Sequence, residues 1–130
     1  MHRPIGSALR ELRDVLRGAT PTHLRLRDHL MVVALATAGV DVLCALAAFV
    51  LERHSAQTEV KTIGSALFWT STQLLTVSSQ LKNPISVAGR LLDVFMEVYA
   101  ITVVATLAGA IGAFLRTRGE EIGAAAKTGK

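Results

Sequence analysis

Thr76-Val77-Ser78-Ser79-Gln80 puts hydroxyl, carboxamide and backbone carbonyl oxygens into five consecutive residues. The remaining chemistry lies in acids set among apolar residues: Asp41, Asp93 and Glu97. A carboxylate in such a setting is a functional candidate. No nucleophile–base constellation, phosphate loop or metal-ligand cluster is evident, so an enzyme is not expected.

The elements that must position these residues are strongly apolar. Of the 130 residues, 51% are hydrophobic but only 5% aromatic. The length suits one domain. Apolar residues concentrate in two blocks, Leu30 to Leu51 and Leu91 to Leu115. The first carries only Asp41 as a charge and spans ~33 Å as a helix, against a ~30 Å hydrocarbon core. The second has Asp93 and Glu97 in its first turns and is uncharged from Val98 to Leu115. Both are expected to cross a membrane. The first begins too late and runs too long for a signal peptide. The single cysteine, Cys44, lies within it and reads as a small inert hydrophobe.

Basic residues set the orientation. Arg3, Arg10, Arg13, Arg17, Arg25 and Arg27 precede the first block, and Arg116, Arg118, Lys127 and Lys130 follow the second. The intervening loop is less basic, with Arg53, Lys61, Lys82 and Arg90. Both termini are therefore expected in the cytoplasm, the chain being a multi-pass protein of the plasma (cell inner) membrane. The positive charge fits anionic lipid at the inner face; nucleic acid is not an expected partner. Ile5, Leu9, Leu12 and Leu16 share a face of a basic amphipathic helix over Ile5 to Gly18. Ser7 is its expected cap, Gly18 and Pro21 its stop, and "GATPTH" a hinge into the first span.

Between the blocks, Thr62 to Leu75 reads as a helix with Thr62 as N-cap. It is too short to cross a bilayer. The polar stretch and Pro84 follow. A re-entrant backbone survives at membrane depth only when buried in protein or lining water. One chain with two spans cannot bury it, but several copies around an axis can. The fold class expected is therefore an all-α membrane protein: two transmembrane helices, a re-entrant helix and an extended strand, assembled as a symmetric oligomer with an aqueous path.

This order of elements resembles the two-transmembrane tetrameric potassium-channel family. The residues carrying the likeness are "SALFWTSTQLLTV" at Ser65 to Val77, Pro84, "GRLL" at Gly89 to Leu92 and "LERHSA" at Leu51 to Ala56. It covers roughly Asp28 to Arg118. The resemblance implies a homotetramer with a pore domain over 29–116, an interfacial N-terminal helix over 1–28 and a cytoplasmic tail over 117–130. The transmembrane helices would be 30–51 and 91–115, the pore helix 62–75 and the filter 76–80. Pore-helix C-termini would point their negative dipole ends at a cavity and favour a cation. Thr76 and Val77 would bind the monovalent cation, and Ser78, Ser79 and Gln80 would complete the filter. Potassium and sodium are the expected permeant ions, with no cofactor.

The filter departs from the family pattern. Ser78 and Gln80 stand where two glycines are expected, and Ser79 replaces an aromatic. Glycine reaches left-handed dihedrals freely. Other residues pay roughly 1–2 kcal/mol each, on the order of 10 kcal/mol over four chains. The expectation is a wider, hydrated opening with weak or no selectivity among monovalent cations. The alternative is a non-conducting regulatory or structural membrane protein that keeps the fold. Leu81 and Lys82 replace the family's acidic mouth.

The resemblance places Glu97 behind the filter, braced on Thr72 or Gln73. Asp41 is expected to bond Thr102 or Thr106, and Arg90 to pair with Asp93. Ile101, Val104, Ala108 and Gly112 are the expected cavity-facing stripe and gate. His23 and His29, with Glu120 and Glu121, are titratable groups whose positions do not closely match the family's proton sensor.

Overall fold

Four helices and the turns between them make up the described residues of the computed structural model, which are 4–75 and 81–129. They are α1 (Pro4–Arg17), α2 (Pro21–Glu52), α3 (Ile63–Leu74) and α4 (Val87–Thr128). No strand occurs among those residues. The extended strand expected over Thr76–Gln80 lies outside them.

Pro4 opens α1, consistent with the tolerance of proline in a helix's first turn. Ser7, expected as the cap, therefore sits inside the helix. Gly18 ends it in the left-handed region at φ 62°. The Gly18 amide donates to the Val15 carbonyl and the Ala19 amide to that of Asp14, at 3.1 and 3.0 Å. This is a Schellman termination, which favours glycine at that position. A Cβ there would also strike Leu24. The expected hinge shortens to Gly18–Thr20, because Pro21 and His23 already belong to α2.

α2 and α4 are the two helices long and apolar enough to cross a membrane. Only 11% of the most apolar window of each is buried. The core helix of a soluble protein would be mostly covered. These helices turn bare aliphatic surface outward, as lipid or further chains require. α4 is longer than hydropathy implied: 42 residues, or about 63 Å, against a core of about 30 Å. The expected tail after Leu115 continues the helix to Thr128.

The chain forms two compact units, Met1–Val33 with Thr106–Lys130, and Ala34–Ala105. In the second, Cys44, Ala45 and Ala48 of α2 join Ala66, Trp69 and Leu74 of α3, Met96 of α4 and Val60 in one buried cluster. α3 starts in a reciprocal cap. The Thr62 hydroxyl accepts from the Ser65 amide and the Ser65 hydroxyl accepts from the Thr62 amide, both at 3.1 Å.

The loop after α2 is fixed by Glu52, which is fully buried. Its carboxylate accepts the Ile85 and Ser86 amides at 3.2 and 3.0 Å, together with the Ser86 hydroxyl. Ser86 caps α4 by accepting the Gly89 amide at 3.0 Å. A Cβ on Gly89 would lie 2.5 Å from Glu52 Oε1 and 2.6 Å from Pro84 Cβ. Glu52→Ala leaves the part-buried Ile85 and Ser86 amides without this acceptor, at up to ~1–3 kcal/mol each, and is expected to lower the thermal midpoint by roughly 5–15 °C. Circular dichroism of the detergent-solubilised protein reads this out; an unchanged midpoint would show the clamp to be dispensable.

Candidate functional site

The polar half of α3 is held from both sides. Asp41 of α2 receives the Thr70 hydroxyl on Oδ1 at 2.5 Å and the Ser71 hydroxyl on Oδ2 at 2.6 Å. Thr70 is fully buried. From α4, Asp93 Oδ1 accepts the Gln73 amide nitrogen at 2.7 Å. Thr72 donates to its own helix, to the carbonyls of Trp69 and Phe68 at 2.8 and 3.0 Å. α3 thus reaches its C-cap, Leu75, fixed to α2 through one carboxylate and to α4 through another, and the next residues are Thr76–Gln80.

Three expected pairings change. Asp41 binds α3, and the single Thr102 hydroxyl proton goes to the Val98 carbonyl at 2.8 Å. Depth along α4 suggested Thr102 or Thr106, but the neighbour that matters is the short helix between the two long ones. Asp93, not Glu97, braces Gln73; Glu97 is exposed on the single chain. The two acids are one turn apart, and the register of α3 against α4 brings the earlier one opposite Gln73. Arg90 makes no ion pair with Asp93, whose carboxylate faces Gln73 instead.

A cavity of about 180 Å³ adjoins this clamp, lined by Thr37, Asp41, Ser71, Leu74 and Leu75. Thr37 and Tyr99 share a hydrogen bond of 3.2 Å nearby in the same unit. The Trp69 indole N–H is buried with no acceptor among the described residues. Leu81 packs partly buried against the core cluster, while Lys82 is exposed and its amide donates to Glu59 at 2.9 Å. Thr76, Val77, Ser78, Ser79 and Gln80 lie outside the described residues. Ile101 and Val104 are exposed in the second unit, and Ala108 and Gly112 in the first. Their spacing puts all four on one face of α4.

The first unit gathers its own polar network. His23 is almost fully buried. Its Nδ1 meets the Thr20 hydroxyl at 2.6 Å and its Nε2 lies 3.4 Å from Glu11. Its ring stands edge-on to Phe114, with centroids 5.4 Å apart. Arg118 bonds Glu11 and Glu121, each at 2.9 Å, and the Thr22 hydroxyl donates to Glu121. His29 is exposed, and Glu120 pairs with Arg116 at 3.1 Å. Of the four titratable residues singled out in the sequence, only His23 and Glu121 join this network. Glu11 and Arg118 were missed; they are distant in sequence, and nothing local couples them.

The Arg118 guanidinium holds the Glu11 carboxyl below its ordinary range. The attachment of α1 through Glu11 is therefore fully present above the ordinary carboxylate range and is lost as pH falls through the lowered value. A nitroxide at Ala8, in a Cys44→Ala background, should loosen on acidification through that window. With Glu11→Gln it should be loose at every pH. Equal mobility of the wild-type label at neutral and strongly acid pH would contradict this.

No protein-family model and no curated protein matches the chain.

Proposed function

We propose that this chain is the subunit of a homotetrameric cation channel built on the potassium-channel pore architecture and weakly selective among monovalent cations. The observation carrying the reading is the double tether of α3. A helix of 12 residues, about 18 Å long, is too short to span a bilayer, yet it sits between two helices that are long enough. Asp41 and Asp93 fix it to both, and its C-terminus leads straight into Thr76–Gln80. In lipid such a helix requires burial in protein. The bare apolar faces of α2 and α4 supply surface for four copies to pack and for lipid to surround them.

On this reading α3 is the pore helix and directs its negative end toward the axis. Thr76 and Val77 contribute inner oxygen rings for potassium or sodium. Ser78, Ser79 and Gln80 form a wider hydrated section, because residues other than glycine resist the dihedrals a tight filter needs. Ile101, Val104, Ala108 and Gly112 line the cavity and its inner constriction. The protein lies in the cell's plasma membrane with both termini cytoplasmic. The exposed leucines of α1, Leu9, Leu12 and Leu16, rest in the inner interface beside anionic lipid.

Cation uptake into liposomes, with the oligomer mass measured on the same sample, tests the reading. Tetramers that carry potassium, sodium and caesium support it. Intact tetramers that carry none would leave the chain a structural membrane protein of the same fold.

A further inference from the structure

Within the second unit, α2 and the end of α3 border the cavity of about 180 Å³ beside the clamp. A cavity of ~150 Å³ is enough to hold benzene, so this recess has room for a ligand of about six heavy atoms. Its walls divide by chemistry. Thr37, Asp41 and Ser71 are polar, and Ala38, Leu74 and Leu75 are apolar.

The polar wall can accept more hydrogen bonds than it can donate. The Ser71 hydroxyl has given its proton to Asp41 Oδ2, and the Thr70 hydroxyl donates to Oδ1. A carboxylate offers about four lone-pair sites, so about two on Asp41 remain. Thr37 and Tyr99 share one hydrogen bond, which spends one of their two hydroxyl protons. Asp41 is half-buried and has no ion-pair partner among the described residues. It is also the single charge between Leu30 and Leu51. A carboxylate drawn out of water is costly unless donors and a positive charge compensate it. The two hydroxyls supply donors but no charge.

An anion is repelled by such a wall. A neutral alcohol brings one donor and no charge. A primary ammonium brings three donors and the missing positive charge, and hydrogen bonds between ionised groups are the stronger kind. A short alkyl tail on that nitrogen has Ala38, Leu74 and Leu75 to lie against.

We propose that this recess binds a short-chain primary alkylammonium ion, with its nitrogen on Asp41 and its tail against Ala38, Leu74 and Leu75. The recess is built from α2 and α3 of one chain, so the proposal is independent of conduction and its test reads binding and not flux.

The test is saturation-transfer NMR of the full chain in non-ionic detergent, with detergent alone as the blank. The probes are butylammonium, butanol and tetrabutylammonium. Butylammonium should bind the wild type at least about tenfold more tightly than butanol, as a charge-assisted bond implies. Tetrabutylammonium has no N–H and four chains, and should not displace it. Asp41→Asn removes the charge, keeps one acceptor oxygen and should weaken binding about tenfold or more. That carboxylate also holds α3, so a second variant leaves it in place. Ala38→Leu fills the recess from an exposed position and should weaken binding as strongly. Glu97→Gln removes an exposed carboxylate outside the recess and should leave binding within about twofold. Undiminished butylammonium binding in Asp41→Asn or in Ala38→Leu would overturn the proposal. So would equal loss in Glu97→Gln, which marks general attraction to acids, displacement by tetrabutylammonium, or butanol binding as tightly as butylammonium.

Discussion

Asp41→Ala is expected to destabilise the protein by about 3–6 kcal/mol and abolish cation flux, because hydrogen bonds to a carboxylate contribute roughly 1.5–3 kcal/mol each and two are lost. Both oxygens of this carboxylate are in use, at 2.5 and 2.6 Å, and Thr70 is fully buried. Water does not reach the fully buried Thr70 hydroxyl to stand in for the missing acceptor. Thr70 retains a fallback in the Leu67 carbonyl at 3.1 Å, so Ser71 bears more of the loss. Asp41→Asn keeps one acceptor oxygen and should fall between alanine and wild type. Removing the donors together with the acceptor, in Asp41→Ala/Thr70→Val/Ser71→Ala, should recover part of the stability, since no buried hydroxyl is then stranded. Trp69 is the only tryptophan and is buried on α3, so its fluorescence during thermal unfolding reports this helix directly. A midpoint unmoved by either Asp41 substitution would remove the clamp from the account.

The second large effect is expected at the residues after α3. Replacing Ser78 and Gln80 with glycine should raise potassium-over-sodium selectivity by at least about tenfold, since each non-glycine residue in a left-handed conformation costs roughly 1–2 kcal/mol and 1.4 kcal/mol is a factor of ten. Reversal potentials between potassium and sodium solutions measure the change. The reasoning is that backbone carbonyls can turn to a common axis only where the dihedrals allow it. An unchanged reversal potential would mean that the serine and glutamine side chains, not the backbone, set what passes.

How much of this was legible in the sequence depends on the range of the interaction. The apolar runs, the Thr62 cap and the stop at Gly18 are local signals, and all four helices form around them. Helix ends were less legible. Hydropathy stops at Leu115, but the following residues through "GAAAKT" sustain the helix to Thr128 without adding apolar character. The side-chain partners were least legible. Asp41 with Thr70 and Ser71, Gln73 with Asp93, and Glu11 with Arg118 depend on how helices from distant parts of the chain are rotated against one another. A one-turn difference decides between Asp93 and Glu97, and no local pattern encodes it. The adjacent hydroxyls of Thr70 and Ser71 were the available signal. An acid half-buried in α2 needs donors, and the polar end of α3 is the richest source between the two long helices.

The most direct test of the central claim is electrical. The purified full-length protein, verified as a tetramer, is placed in a planar bilayer with potassium on one side and sodium on the other. The expected result is current carried by both ions with a reversal potential near zero, and by caesium when it replaces either. Silence from intact tetramers would contradict the assignment as a channel, and a reversal potential close to the potassium limit would contradict the weak selectivity assigned to Thr76–Gln80.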